Sequence, residues 1–594
     1  MKFRIVSTVA AWMAVAGLWM AAVTGGTSWG ASPVTLPVVW PVRSCAALAA
    51  TDLRGIVDTP AAISSARLTQ TGKGPFCTVL VRVQPTIVVT IQLPAEHWTQ
   101  RYIQSGGGSG WPGPAGYPHA GTCLPALNGE FVVGGNNMPT QEVTGPPRPS
   151  SVPKLATSVV EWGPEPQTRI DYGYRTAHVT AVIAKALMRA FYGHGPRYAY
   201  YMGCSEGGRE GLTEAQRYPQ DFDGMAVGAP AALLTAQQSI FHLWIAHANR
   251  RADGTNILTP EKLALAHAAI LAQCDTLSGV RDGLLQNPSA CGFNPRSLQC
   301  PVGASDASRC LTAEEATALQ RLYDGASDAE GHRLMYGLER GGELHWDLPA
   351  TPTAEPPGVR AAALTFAYLL LPEPAPEVAD YRRAVFTRDV FERGSALASL
   401  YNATNTDLKA FAAHGGKLIL WHGLSDFAVS PQVSVTYYRG VQQFMGAEAT
   451  ERFMRLFLLP GVGHCEGGDG DDQFDTLEPL MAWTERNQAP KLLLTEKSRD
   501  PVAPTQAPDP IARVRLPLAL PMPAAAATRP VYPYPDLARY SGHGDPGDAA
   551  NYAPASSPTE APGSAGYAVQ ALYGPDNQRD YGVEDGRLVV RDHH

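Results

Sequence analysis

Three residues, in one order along the chain, could do nucleophilic chemistry: Ser205, Asp426 and His464. Ser205 lies in Gly203-Cys204-Ser205-Glu206-Gly207, a Gly-x-Ser-x-Gly pattern. The aromatic run Arg197 to Tyr201 predicts a strand before it, and Leu212 to Tyr218 predicts a helix behind it. Strand, tight turn and helix is the context of a nucleophile elbow, where flanking glycines let the backbone bend and lift the serine Oγ above a sheet. Asp426 ends the apolar stretch that starts at Gly416, and His464 ends the one that starts at Arg455 through the glycine-hinged turn Gly461-Val462-Gly463. In such a relay the histidine takes the serine proton and returns it to the leaving group, while the aspartate fixes the imidazole tautomer. Each signal alone is weak, since Gly-x-Ser-x-Gly recurs by chance and an Asp or His at a strand end is usually structural. Their order, Ser then Asp then His, with all three at strand ends, gives the combination its weight.

The cysteines supply an independent check. Cys204 adjoins Ser205 and Cys465 adjoins His464, so contact between serine and histidine brings the two thiols into disulfide range, roughly 4.4 to 6.8 Å between Cα atoms. The alternative is two buried free thiols. Of the nine cysteines, Cys45 and Cys77 flank an early segment, Cys274 and Cys291 bracket one loop, and Cys300 and Cys310 bracket another. Cys123 is then the odd one. No Cys-x-x-Cys pair supports a zinc site.

The elements that must position these residues read as alternating strands and helices. Thr78 to Leu93 alternates apolar and polar residues as strands do, and Arg101 to Gln104 predicts a short strand running into Ser105-Gly106-Gly107-Gly108-Ser109-Gly110. Without a following Gly-Lys-Ser/Thr, that loop is a poor phosphate cradle; in a serine hydrolase it would supply the second oxyanion-hole amide, the first being the amide after the nucleophile. Phe131 to Gly135 predicts a strand, Tyr172 to Tyr192 a helix, and Phe222 to Pro230 a further central strand. This alternation predicts an α/β class with a mostly parallel, covered sheet. From 232 to 405 it lapses into helical pieces, Cys-bracketed loops and a proline-rich run at 349–357, which predicts an inserted lid. The expected organisation is a signal peptide at 1–31, core at 32–231, lid at 232–405, core again at 406–554, and a disordered tail at 555–594.

The signal expectation rests on Lys2 and Arg4 before the apolar run Ile5 to Val23, followed by small residues to Ala31. An uncleaved membrane anchor is the alternative reading. Cleavage implies a secreted or periplasmic protein, not membrane-bound afterwards, in a setting where disulfides persist. At 594 residues, 44% hydrophobic, 17% charged and net charge −8, the chain has no electrostatic footprint for nucleic acid.

The stretches Gly-Cys-Ser-Glu-Gly-Gly-Arg-Glu at 203–210, His-Gly-Leu-Ser-Asp at 422–426 and Pro-Gly-Val-Gly-His-Cys at 460–465 resemble the tannase/feruloyl esterase family, which includes hydrolases of mono(2-hydroxyethyl) terephthalate. The likeness runs from about Cys45 to Ala553. It implies an α/β-hydrolase core with a lid, a Cys204–Cys465 disulfide and hydrolysis of aromatic carboxylic esters. It carries the oxyanion amides to Glu206 and to Gly106 or Gly107. It also implies calcium in the lid, held by Asp275, Ser278, Val280, Asp282 and Leu284; a serine at 278 replaces an acid and Arg281 adds positive charge, so weak binding is expected. No organic cofactor is expected. Phe427 and Val429 would line the acyl pocket, and Arg360 is the candidate for holding a free substrate carboxylate. A further family disulfide is replaced by Tyr532 and Pro554. The expected activity is therefore a serine esterase on feruloyl, galloyl or terephthalate-monoester substrates. A serine peptidase or thioesterase on the same core, or a binding protein that retains the fold, are the alternatives.

Overall fold

The computed structural model describes residues 33–107, 123–137, 159–497, 527–556 and 566–591, apart from a few single positions between 277 and 357. The expected signal at 1–31 lies outside the described residues. A nine-stranded sheet organises the fold. Its strands are β1 (Ala61–Thr71), β2 (Gly74–Val83), β3 (Ile87–Pro94), β4 (Arg101–Ser105), β5 (Phe131–Asn136), β6 (Tyr198–Cys204), β7 (Gly224–Gly228), β10 (Lys417–Gly423) and β11 (Met454–Leu459). The short hairpin β8 (Ala326–Ser327) and β9 (Arg333–Met335) falls between them in sequence but outside this sheet. The spatial order is β1-β2-β3-β5-β4-β6-β7-β10-β11. β1, β2, β3 and β5 pair antiparallel, and every neighbour from β5 through β4, β6, β7 and β10 to β11 is parallel.

Both faces of the parallel half are covered, which is why its strands read as continuous apolar runs. Along β6, Tyr201 packs into one core with Leu187 and Leu212, from the helices Thr176–Tyr192 and Glu206–Arg217. Its neighbours Tyr200 and Met202 face the other side, with Ile419, Trp421, Leu480 and Trp483 beneath the helix Leu477–Arg486. This period of two decides which face each side chain serves, and leaves the strand C-termini free to carry loops. Among the described residues no strand of the large sheet lies between β7 and β10; that stretch is mainly short helices and loops. The α/β-hydrolase class expected from the sequence is the class observed.

After β11 come β12 (Gln473–Phe474), β13 (Leu493–Glu496) and β14 (Thr528–Val531), paired as a small sheet, and the hairpin β15 (Asp536–Tyr540) with β16 (Tyr552–Ser556). The expectation of a disordered tail does not hold for the described residues 566–591. Residues 566–591 carry a 3-10 turn at Ala568–Leu572 and the hairpin β17 (Asp580–Glu584) with β18 (Arg587–Arg591). The physical reason is docking: the Tyr581 hydroxyl bonds Ser399 Oγ at 2.7 Å, and Arg217 Nη1 meets Asp580 Oδ1 at 3.0 Å. Among the described residues no helix is long and apolar enough to cross a membrane.

Candidate active site

Ser205 occupies the turn between β6 and the helix Glu206–Arg217, with φ +62 and ψ −121. A non-glycine residue at positive φ is strained and needs its surroundings to hold it. Here its N–H donates to Gly228 O at 3.0 Å, and its carbonyl accepts from Arg209 N and Ala231 N at 3.0 Å each. The turn closes only because Gly203 and Gly207 lack side chains: a Cβ on Gly203 would lie 2.6 Å from Gly207 O. Asp426 and His464 come to the same sheet edge from the loops after β10 and β11. Those loops interlock, Ser425 N donating to Val462 O at 2.9 Å, and a Cβ on Gly423 would sit 2.4 Å from the Val462 and Gly463 carbonyl oxygens.

These turns bring the three candidate residues together. Ser205 Oγ is 2.8 Å from His464 Nε2, and His464 Nδ1 is 2.7 Å from Asp426 Oδ2. Asp426 is fully buried; its Oδ1 accepts the amides of Ala428 at 2.8 Å and Val429 at 2.9 Å. Burial alone would raise its pKa, but His464 and His422 outweigh that and hold the carboxyl well below its usual range, so it stays ionised. The sequence reading missed His422. Its Nε2 lies 3.2 Å from Asp426 Oδ2 and 3.0 Å from Val429 O, and its Nδ1 is 2.7 Å from Ser434 Oγ. It therefore braces the aspartate through the same oxygen, Oδ2, that His464 contacts. Its position at the end of β10, four residues before Asp426, was the available signal.

The four expected disulfides are all present, including Cys204–Cys465 with Cα atoms 6.0 Å apart, and Cys123 is a buried free thiol. The Cys204–Cys465 bond joins the residue before Ser205 to the residue after His464.

The expected oxyanion donors divide. Glu206 opens its helix, so its N–H has no acceptor within it and is free for a developing oxyanion. The Gly106 amide instead donates to Met202 O at 2.8 Å, and the Gly107 amide donates to Glu210 Oε2 at 2.9 Å. Both amides are committed in holding the glycine loop against the elbow, which corrects their assignment as donors. The continuation of that loop lies outside the described residues.

A cleft of about 270 Å³ opens beside Ser205 and His464. Phe427 lines it, its ring tilted toward His464 at 6.5 Å between centroids. Val429 does not: it is 1% exposed, and the lining residue is its neighbour Ala428. Arg360 is exposed on the helix Val359–Thr365, whose residues Ala361 and Thr365 face the cleft instead. Gln238, His242 and Ile245 line another wall at helical spacing, a signal the sequence reading did not use. Burial, and then the charge of His464, pull the His242 pKa down to about 4, so its ring is neutral near pH 7. Among the described residues, no lysine or arginine lines the cleft.

The residues expected to hold calcium do not form a vacant cage. Asp275 accepts backbone amides on both oxygens, from Asp282 at 3.3 Å and Gly283 at 3.1 Å. The Val280 carbonyl accepts from Ser278 Oγ at 3.2 Å, the Leu284 amide donates to Asp282 Oδ1 at 3.1 Å, and Arg529 holds Asp282 Oδ2 at 2.5 Å. As placed, this donor set does not fit the ion, which asks for six to eight oxygens.

Residues 70–555 match the profile described as tannase and feruloyl esterase. Mono(2-hydroxyethyl) terephthalate hydrolase of Piscinibacter sakaiensis is 32% identical over 527 residues, covering 79% of this chain and 81% of that one. A probable feruloyl esterase B-2 of Aspergillus terreus is 31% identical over 348 residues, 55% of this chain and 63% of its own length. The crystal structure of feruloyl esterase B from Aspergillus oryzae aligns with a TM-score of 0.67 at 22% identity, covering 86% of this chain and all of that one, and so shares the fold. The chain belongs to the tannase and feruloyl esterase family and is a carboxylic ester hydrolase.

Proposed function

We propose that this protein hydrolyses uncharged aromatic esters of the feruloyl or galloyl type, through a serine acyl-enzyme and outside the cytoplasm. Ser205 Oγ attacks the ester carbonyl as its proton passes to His464 Nε2. The Glu206 amide, with a second donor, stabilises the tetrahedral oxyanion. Collapse expels the alcohol, which takes the proton back from His464. A water activated by the same imidazole then attacks the acyl-enzyme carbonyl, gives its proton to His464 and releases the acid as Ser205 regains a proton. Asp426 stays anionic throughout and stabilises the imidazolium. Four disulfides favour an oxidising compartment.

The observation that carries the substrate choice is the cleft lining. Phe427, Trp346 and Leu348 offer apolar surface, His242, Gln237 and Gln238 offer neutral polar groups, and among the described residues no lysine or arginine lines the cleft to offset a substrate carboxylate. Burying an unpaired carboxylate is costly, so a terephthalate monoester is disfavoured against a neutral ester of similar size. The test is a panel of methyl ferulate, methyl gallate and mono(2-hydroxyethyl) terephthalate, with Ser205→Ala as control. The neutral esters should exceed the terephthalate monoester in kcat/KM by at least about tenfold, equivalent to roughly 1.4 kcal/mol. Equal or better turnover of the monoester would overturn the substrate reading, and near-normal turnover by folded Ser205→Ala would overturn the mechanism.

A further inference from the structure

Arg529, on β14, is tucked where three parts of the molecule meet. Its side chain is 11% exposed, and those of its carboxylate partners Asp282 and Asp471 are 13% exposed each. Nη1 reaches Asp282 Oδ2 at 2.5 Å, in the insertion between β7 and β10. Nε reaches Asp471 Oδ2 at 3.4 Å, in the loop that follows His464. The guanidinium also lies over the Tyr552 ring, 5.5 Å from its centroid, with Nη1 3.4 Å from the hydroxyl. Two largely buried carboxylates from separate segments would repel each other without a cation between them. A guanidinium fits that role: it does not lose its charge in proteins, and its planar fork can engage two acids at once.

We propose that Arg529 is a built-in counter-ion that seats the loop 275–284 of the insertion against the core, in place of a divalent cation. The same contacts that defeat the calcium fit make the case. Each Asp282 oxygen has a partner, Arg529 on Oδ2 and the Leu284 amide on Oδ1, and Asp275 is used by two backbone amides. The joint is therefore complete without metal, and its integrity depends on residue 529.

The readouts are bound metal and melting temperature, so the result stands apart from the esterase reading. Wild-type protein is incubated with calcium chloride, desalted and assayed by atomic emission; melting is followed in calcium and in EDTA. Wild type should retain no stoichiometric calcium and should melt at the same temperature in both. Arg529→Gln should melt several degrees lower, and calcium should recover part of that loss because Asp282 and Asp471 are vacated. Should Arg529→Gln fail to fold, Asp471→Asn gives a milder test. It leaves Arg529 with Asp282 alone and should lower the melting temperature while remaining indifferent to EDTA. A wild-type protein that holds one calcium per chain and melts lower in EDTA would overturn the proposal. So would an Arg529→Gln variant that melts with wild type.

Discussion

Glu210 sits on the elbow helix a little over one turn beyond Ser205, 6% exposed, with Oε2 accepting from the Gly107 amide at 2.9 Å and lying 3.3 Å from the Tyr201 hydroxyl. It ties the glycine-rich loop to the helix that carries the nucleophile. Burial, only partly offset by the Gly107 amide and Arg209, lifts its pKa from 4.5 to about 7. Between those values the folded protein holds a proton that the unfolded chain has released. Stability from this group therefore falls as pH rises from 4.5 to 7 and levels off above, by on the order of 3 kcal/mol at most. Glu210→Gln keeps the shape and an acceptor oxygen but cannot ionise. Its melting temperature should drop less than that of wild type across this window, and it should be the more stable protein at pH 8. Parallel melting curves against pH for the two proteins would rule this out. At this scale Ser205, Asp426 and His464 were legible because each follows a recognisable strand and glycine turn. Glu210 and His422 were not: a carboxylate or imidazole on a helix or strand says nothing of its partner until the fold supplies one.

The elbow depends on backbone proximity as much as on side chains. Gly207 is packed so closely on the glycine loop that a Cβ there would lie 2.5 Å from Gly107 O and 3.0 Å from the Gly106 carbonyl carbon. Both are backbone atoms and cannot rotate away, so Gly207→Ala must move the loop, the elbow or both. Such overpacking typically costs about 1–3 kcal/mol. Displacement near the nucleophile is felt more strongly in rate, where about 1 Å can cost around 100-fold. Gly207→Ala should therefore fold with a modestly reduced melting temperature and lose kcat by roughly 10- to 100-fold. Wild-type kcat in the folded variant would show that the loop is not part of the site. Elements were legible in proportion to their burial. β6, β7 and β10 are apolar along their length because both faces are covered. β1 went unread because its residues are mostly half-buried or exposed, and it is a strand only by virtue of its long antiparallel pairing with β2. β17 and β18 went unread because composition around 555–566 argues for disorder, whereas Tyr581 and Asp580 find partners on the insertion and the elbow helix.

For the molecule as a whole, the disulfides divide the work among segments. Cys45–Cys77 staples the N-terminal stretch to β2, Cys274–Cys291 and Cys300–Cys310 close loops in the insertion, and Cys204–Cys465 joins the two halves of the core across a sequence separation of 261. By the chain-entropy account a loop of that length is stabilised by on the order of 5 kcal/mol, the largest of the four, because closing it removes the most freedom from the unfolded chain. The same bond sits beside both Ser205 and His464, so its loss should register in activity as well as stability. Cys123 is different. It is buried with its sulfur 3.5 Å from Met481 Sδ, and burial, the dominant cause, pushes its thiol pKa far up, so it is unreactive while the protein is folded. Thiol titration then has a definite outcome. The native protein should show no reactive thiol, the denatured but unreduced protein the single Cys123, and the denatured and reduced protein all nine cysteines. Alkylation of Cys204 or Cys465 before reduction, read by peptide mapping, would contradict the pairing. Cys204→Ala with Cys465→Ala should melt lower than wild type and turn over more slowly, whereas Cys123→Ala should leave turnover unchanged.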